Sequence, residues 1–228
     1  MRLLIVPALL FLVSQQGDEA KKLFDSAGKK IADAKAVGIG VRATLEVGDK
    51  KGKLGGTIRL AKGNKNRTQL SAEFGDKEVS LLVVSNGEKM KLEGSFAGKA
   101  QLKDTPKEFN ASLATGIHRA GVMLSTMATA PGGKKAEGIA ERFKVADFAL
   151  GNKEKVGKHE AQVVKYKLKM KGEVEIIDVE LWLTTDTLLP LKRVLTGKTK
   201  TGERANISET YDVMLNPKEE PDLFSIPD

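Results

Sequence analysis

The sequence predicts an α+β fold: a strongly curved antiparallel β-sheet of about ten strands, with helices covering its concave face. Three observations predict it. Over most of the chain, apolar residues alternate with polar ones, the period-two signature of strands with one buried face. Two stretches replace that pattern with apolar residues at spacings of three and four, the signature of amphipathic helices. The chain also holds 23 Gly and many polar turn clusters against 5% aromatics, which suits numerous short hairpins. With 228 residues, 40% of them hydrophobic, it is long enough for one packed domain over residues 17–228.

Residues 1–16 stand apart. Arg2 precedes the uncharged apolar run 3–13, and Ser14, Gln15 and Gln16 lead into charged sequence from Asp18. A basic start, a short apolar core and a polar exit describe a secretory signal peptide. At about 1.5 Å per residue that run is too short to span a bilayer. The expected location is therefore periplasmic or secreted. An uncleaved amphiphilic start is the rival reading. With no Cys there is no disulfide and no lipid on an N-terminal Cys.

Residues 18–35 read as a helix, with Ala20, Leu23, Phe24, Ala27, Ile31 and Ala34 on one face. From Val37 the period becomes two, and Val37, Ile39, Val41, Ala43, Leu45 and Val47 share a parity. A charged turn at 48–52 leads to a strand with Leu54, Ile58 and Leu60, a turn at 62–66, and a strand at 67–74 burying Leu70, Ala72 and Phe74. The run 79–84, apolar on both parities, predicts a central strand. Asn86-Gly87 predicts a type I′ hairpin, returning through Met90 and Leu92. These five strands form a meander.

The pattern breaks at 94–106. Pro106 opens a second helix reaching about Thr129, with Phe109, Leu113, Ile117, Ala120, Leu124 and Met127 on one face and Met123 beside it. Gly116 and Gly121 weaken it by up to about 1 kcal/mol each, so the helix is expected to bend or break. Pro131-Gly132-Gly133 ends it, and a short helical turn is expected at 136–142. Strands resume at 143–150 and 159–170. A hairpin at 175–183 and 188–196, joined by 184–187, follows, with a parity slip at Ile176 and Ile177 that predicts a bulge. A last strand, 203–215, carries Ile207, Tyr211, Val213 and Leu215 on one parity.

Catalytic chemistry is not legible. His118 and His159 lack neighbours at metal-binding spacing and read as surface or satisfied residues. No nucleophile elbow or phosphate loop is present. The protein is expected not to be an enzyme, and to need no cofactor or metal. Three glycosylation sequons, at Asn66, Asn110 and Asn206, matter only on a eukaryotic secretory route. The formal net charge is +8. Lys89, Lys91, Lys165 and Lys167 alternate with apolar residues, so the charge reads as a solvated sheet face rather than a nucleic-acid site. An anionic-surface binder is a further class that this charge leaves open.

More suggestive is a curved sheet with one apolar face, closed over by helices rich in Leu, Ile, Met and Ala. Such an arrangement can enclose a cavity. Leu45, Ile58, Leu70, Leu81, Met90, Tyr166, Val179 and Val213 sit at the parity assigned to the concave face, and Leu113, Ile117, Leu124 and Met127 face them from the second helix. Met123 and Met127 would make the wall adaptable. An ordinary filled core fits the same residues, which would make the protein a secreted interaction or scaffold module.

Several segments resemble a family. These are the opening amphipathic helix, the meander, the Lys62-Gly63-Asn64-Lys65-Asn66-Arg67 turn and the Asn86-Gly87 hairpin. LWLTTDTLLPLKR at 181–193, ETYDVMLNP at 209–217 and PDLFSIP at 221–227 complete the set. Together they resemble the periplasmic outer-membrane lipoprotein carrier (LolA-like) family and its lipid-binding relatives. The resemblance implies an unclosed β-barrel of about eleven strands with a helical lid over its mouth. It also implies an apolar cavity that binds lipid or lipoprotein acyl chains for transport across the periplasm. Membrane-associated donor and acceptor proteins are the implied partners, and the carrier is expected to be a monomer. By the same resemblance Arg67 matches an arginine that latches the lid. Lys62-Gly63 stands where the family has Arg-Pro, and Thr68 where it has an aromatic residue. A lipoprotein carrier and a divergent lipid-binding relative both fit.

Overall fold

Eleven strands form a single antiparallel sheet. The computed structural model describes residues 6–95, 100–129, 138–171, 175–218 and 220–227, with the side chains of 6–15 and 127–129 left aside. Helix α1 (Val6–Asp33) precedes a six-stranded meander: β1 (Ala36–Val47), β2 (Lys50–Ala61), β3 (Lys65–Phe74), β4 (Lys77–Asn86), β5 (Lys89–Glu93) and β6 (Gln101–Asp104). Helix α2 (Phe109–Thr129) and a 3-10 turn (Ile139–Arg142) lead to β7 (Phe143–Val156), β8 (His159–Met170), β9 (Ile176–Thr184), β10 (Pro190–Lys198) and β11 (Arg204–Leu215). The two meanders join where β1 pairs with β11, giving the sheet order β6-β5-β4-β3-β2-β1-β11-β10-β9-β8-β7. β6 and β7 are the two edges and do not pair, so the barrel stays open. The chain passes from one edge to the other through α2.

The predicted helices and the predicted strand order are found, with differences at the joints. The turn expected at 48–52 shrinks to Gly48-Asp49, because Val47 pairs directly with Lys50 and Gly48 adopts φ 55°. Lys50 and Lys51 thus belong to β2; charge alone does not stop a strand whose face is solvated. Asn86-Gly87 does mark a hairpin, but not a type I′ one. Gly87 alone of the pair has positive φ, 105°, and the Asn86 side chain accepts the Glu88 and Lys89 amides, each at 2.9 Å. The local carboxamide supplies the turn instead. Strand β6 was not expected. Its four residues are all exposed, so no alternation marks it. The bulge predicted at Ile176 and Ile177 is absent, since both stay in register with Lys169 and Leu168. The register shift falls across the hairpin, at Leu191. The Pro131-Gly132-Gly133 stop lies outside the described residues.

Several lysines on the outer face of the sheet pair across strands. Lys89 meets Asp104 at 2.7 Å, Lys165 meets Glu180 at 2.6 Å, and Lys167 meets Asp178. Each pair joins residues directly opposite in register. Such exposed pairs contribute about 0–1 kcal/mol each and favour register and solubility more than stability.

The interior is divided. Around β7–β9 it is filled by α1, whose Phe24 ring lies 4.1 Å from His118, 5.0 Å from Tyr166 and 5.2 Å from Phe148. Val164, Leu168, Leu181 and Leu183 are fully enclosed there. The C-terminal tail docks outside this core, with Phe224 against Ala36 and Ala61.

Candidate functional site

Helix α2 crosses the concave side as two helical halves. Gly121 breaks it, with φ 86° and ψ 173°. A helix interrupted inside a protein leaves carbonyls unpaired on one side and amides on the other. Here strand side chains satisfy both. Arg193 on β10 donates from Nη1 to the Ile117 carbonyl at 2.6 Å and from Nη2 to the His118 carbonyl at 2.5 Å. Tyr166 on β8 donates to the Arg119 carbonyl at 2.7 Å. Beyond the break, Glu209 on β11 accepts the Val122 amide at 3.1 Å and the Met123 amide at 2.7 Å.

The charges match the helix ends. A guanidinium sits at the negative C-terminal end of the first half and a carboxylate at the positive N-terminal end of the second. Arg193 and Glu209 are direct register partners, and both are buried. The Tyr211 hydroxyl donates to Glu209 Oε2. Burial, with the Glu209 carboxylate adding to it, pushes the Tyr211 phenol well above its ordinary pKa, so it stays a donor. A methyl at residue 121 would collide with the Glu209 carboxylate, so glycine is required there for space as well as for φ.

The second half of α2 roofs a cavity of about 240 Å³. Its wall comes from the C-terminal end of β1, the start of β2, the end of β3 and the start of β4: Leu45, Leu54, Leu70, Phe74, Val79 and Leu81. Met123 and Thr126 close it from above. Gly52 and Ala72 leave room because they are small, and Phe74 at the mouth is 39% exposed. At the other end of the same strands lies a wider cleft of about 810 Å³, between α1 and the first half of α2, lined by apolar and charged residues together.

The residues assigned to the concave face separate into three groups. Leu45, Leu70 and Leu81 line the cavity. Ile58, Leu113, Ile117, Tyr166 and Val179 are packed in the filled core, with Leu124 and Val213 against it. Met90 joins a separate cluster with Leu81, Val83 and Leu92. The Met127 side chain lies outside the described ones. Arg67 is away from the lid: it has the opposite parity from buried Thr68, and its Nη1 donates to the Leu223 carbonyl of the tail at 3.4 Å. The arginine that bonds the carbonyls of α2 is Arg193. His118, expected as a surface or satisfied residue, is half-buried and its Nε2 has no hydrogen-bond partner among the described residues. Its Nε2 is enclosed, and burial, then the Arg193 charge, lowers its pKa to about 3.

Sequence reasoning missed Arg193 and Glu209. The signal was there, since Glu209 shares the inward parity of Ile207, Tyr211 and Val213. Among the described residues no cluster of His, Asp and Glu could hold a metal ion, and no helix is long and apolar enough to cross a membrane.

No protein-family model matches the sequence, and no curated protein matches it significantly. Similar solved structures are distant. LprF from Mycobacterium bovis is 11% identical, with a TM-score of 0.49 over 91% of this chain and 98% of its own. A domain described as that of an outer membrane lipoprotein-sorting protein, from Vibrio parahaemolyticus, is 10% identical, with a TM-score of 0.34 over 90% of this chain and 97% of its own. A LolA superfamily protein from Nitrosomonas europaea is 12% identical, with a TM-score of 0.29 over 91% of this chain and 97% of its own. At these scores the assignment rests on topology. Eleven antiparallel strands in one unclosed sheet, crossed on the concave side by a broken helix, form the unclosed barrel that the LolA-like resemblance implied.

Proposed function

We propose that the protein binds an acyl chain of a lipid or lipoprotein in the cavity beneath α2, and carries it outside the cytoplasm without catalysis. The observation that supports this reading is the cavity itself. Its lining is dominated by aliphatic side chains, with Met123 able to repack around a ligand. At about 240 Å³ it is just below the roughly 300–1,000 Å³ of drug-sized sites, which suits part of one slender chain better than a bulky head. Export through residues 1–16 and service by membrane-associated donor and acceptor proteins complete the proposal, with the carrier as a monomer. Displacement of a fluorescent fatty acid by unlabelled lipid tests the binding. For export, N-terminal sequencing of the secreted protein should find a start near residue 17; an intact Met1 would contradict it.

A second reading draws on the other half of the interior. Around β7–β9 the core is filled, as in an interaction module without a small ligand. Failure to bind any acyl probe would favour that reading.

A further inference from the structure

The wider cleft, of about 810 Å³, has a different chemistry from the acyl cavity. Its floor is apolar, built from Phe24, Ile31, Val37, Leu60 and Ala114. Its rim is basic. Lys35, Lys62 and Lys107 are exposed on it and make no ion pair among the described residues. Two other rim charges are already engaged, Asp25 by Lys21 and Lys29 by Asp33. Arg119 spends its guanidinium on the Ala140 and Phe143 carbonyls, so no carboxylate neutralises it there. Glu108 stands against this group. The positive end of α2 opens onto the same rim. Within the cleft wall, Asn110 donates to the Ala61 and Lys65 carbonyls, while its enclosed Oδ1 has no partner. The His118 edge of the wall is neutral, so positive charge is confined to the rim.

We propose that this cleft binds the anionic head of a single-chain amphiphile, with its phosphate or carboxylate against Lys35, Lys62 and Lys107 and its tail on the Phe24 and Leu60 floor. An apolar floor under a basic rim selects against a free inorganic anion, which gains nothing from the floor, and against a neutral lipid, which gains nothing from the rim. The volume lies inside the range of small-molecule sites. This site is separate from the acyl cavity and does not depend on it.

The test uses Leu70→Glu protein, in which the acyl cavity carries a charge, beside wild type. Binding of lysophosphatidylglycerol, lysophosphatidylcholine of the same chain length, and inorganic phosphate is measured by calorimetry below the micellar concentration. The expected result is about a tenfold preference for the anionic lysolipid in both proteins, reduced by salt because the lysines are exposed. Lys62→Ala with Lys107→Ala should remove the preference while leaving the fold intact. Equal affinities, no binding, or a preference that survives the lysine substitutions would overturn the proposal. So would a preference lost in Leu70→Glu, which would assign the lipid to the acyl cavity. Phosphate binding as tightly as the lysolipid would identify a free-anion site and contradict the amphiphile.

Discussion

His118 shows what enclosure does to one side chain. Its ring packs between Phe24 and Gly28, with the Arg193 guanidinium near enough to oppose a second positive charge. Its pKa in the folded chain is about 3, against about 6.5 unfolded. Between those values the unfolded chain binds a proton that the folded chain refuses. The residue therefore costs nothing above pH 6.5, and stability falls as pH drops toward 3, by up to about 1.4 kcal/mol per pH unit. Urea melts of wild type and His118→Gln across pH 4–7 should show a steeper acid loss in wild type. Parallel curves would mean that the ring is accessible to protons.

At the scale of the element, the break in α2 is the feature that shapes the site. Removing one partner of a buried charged arrangement costs about 3–5 kcal/mol, because the other charge is left uncompensated. Glu209→Ala should lose about that much in chemical unfolding, and Glu209→Gln less, since one acceptor survives. The loss should be local. Amide exchange of residues 122–129 should accelerate in Glu209→Gln while the β1 and β2 amides keep their protection; uniform acceleration would count against a lid held by Glu209. Much of this helix was legible. Its apolar face, its extent and its weakness at Gly121 all follow from spacing and propensity. The clamp was not, because a lone charge in a strand normally points to water. Only the parity of Glu209, among Ile207, Tyr211 and Val213, marks it as inward. Arg67 misled because a motif in a turn carries no information about which face its neighbours bury, and the strand register turns it outward. β6 had no alternation to read, and the Asn86 turn was placed correctly but formed by a side chain instead of by backbone φ.

For the whole molecule, one side of the open barrel is packed core and the other borders a cavity. A sheet that curves without closing has more concave surface than two helices can cover. α1 and the first half of α2 fill the β7–β9 side, and the second half of α2 only roofs the β1–β4 side. The sequence could not divide these halves, because a cavity wall and a packed core use the same Leu, Ile and Val at the same parity. Substitution separates them. Leu181 is fully enclosed, so Leu181→Ala should cost about 2–5 kcal/mol by leaving a void. Leu70 already borders a void, so Leu70→Ala should cost clearly less in the ligand-free protein. Equal costs would mean a filled interior throughout. The most direct test of the acyl-chain reading is titration of a fluorescent acyl probe with an uncharged head, which the basic cleft does not select, into wild type and Leu70→Glu. Wild type should bind saturably and the variant not at all, with the variant's circular dichroism unchanged. Binding that is absent in wild type, or equal in both, would contradict it.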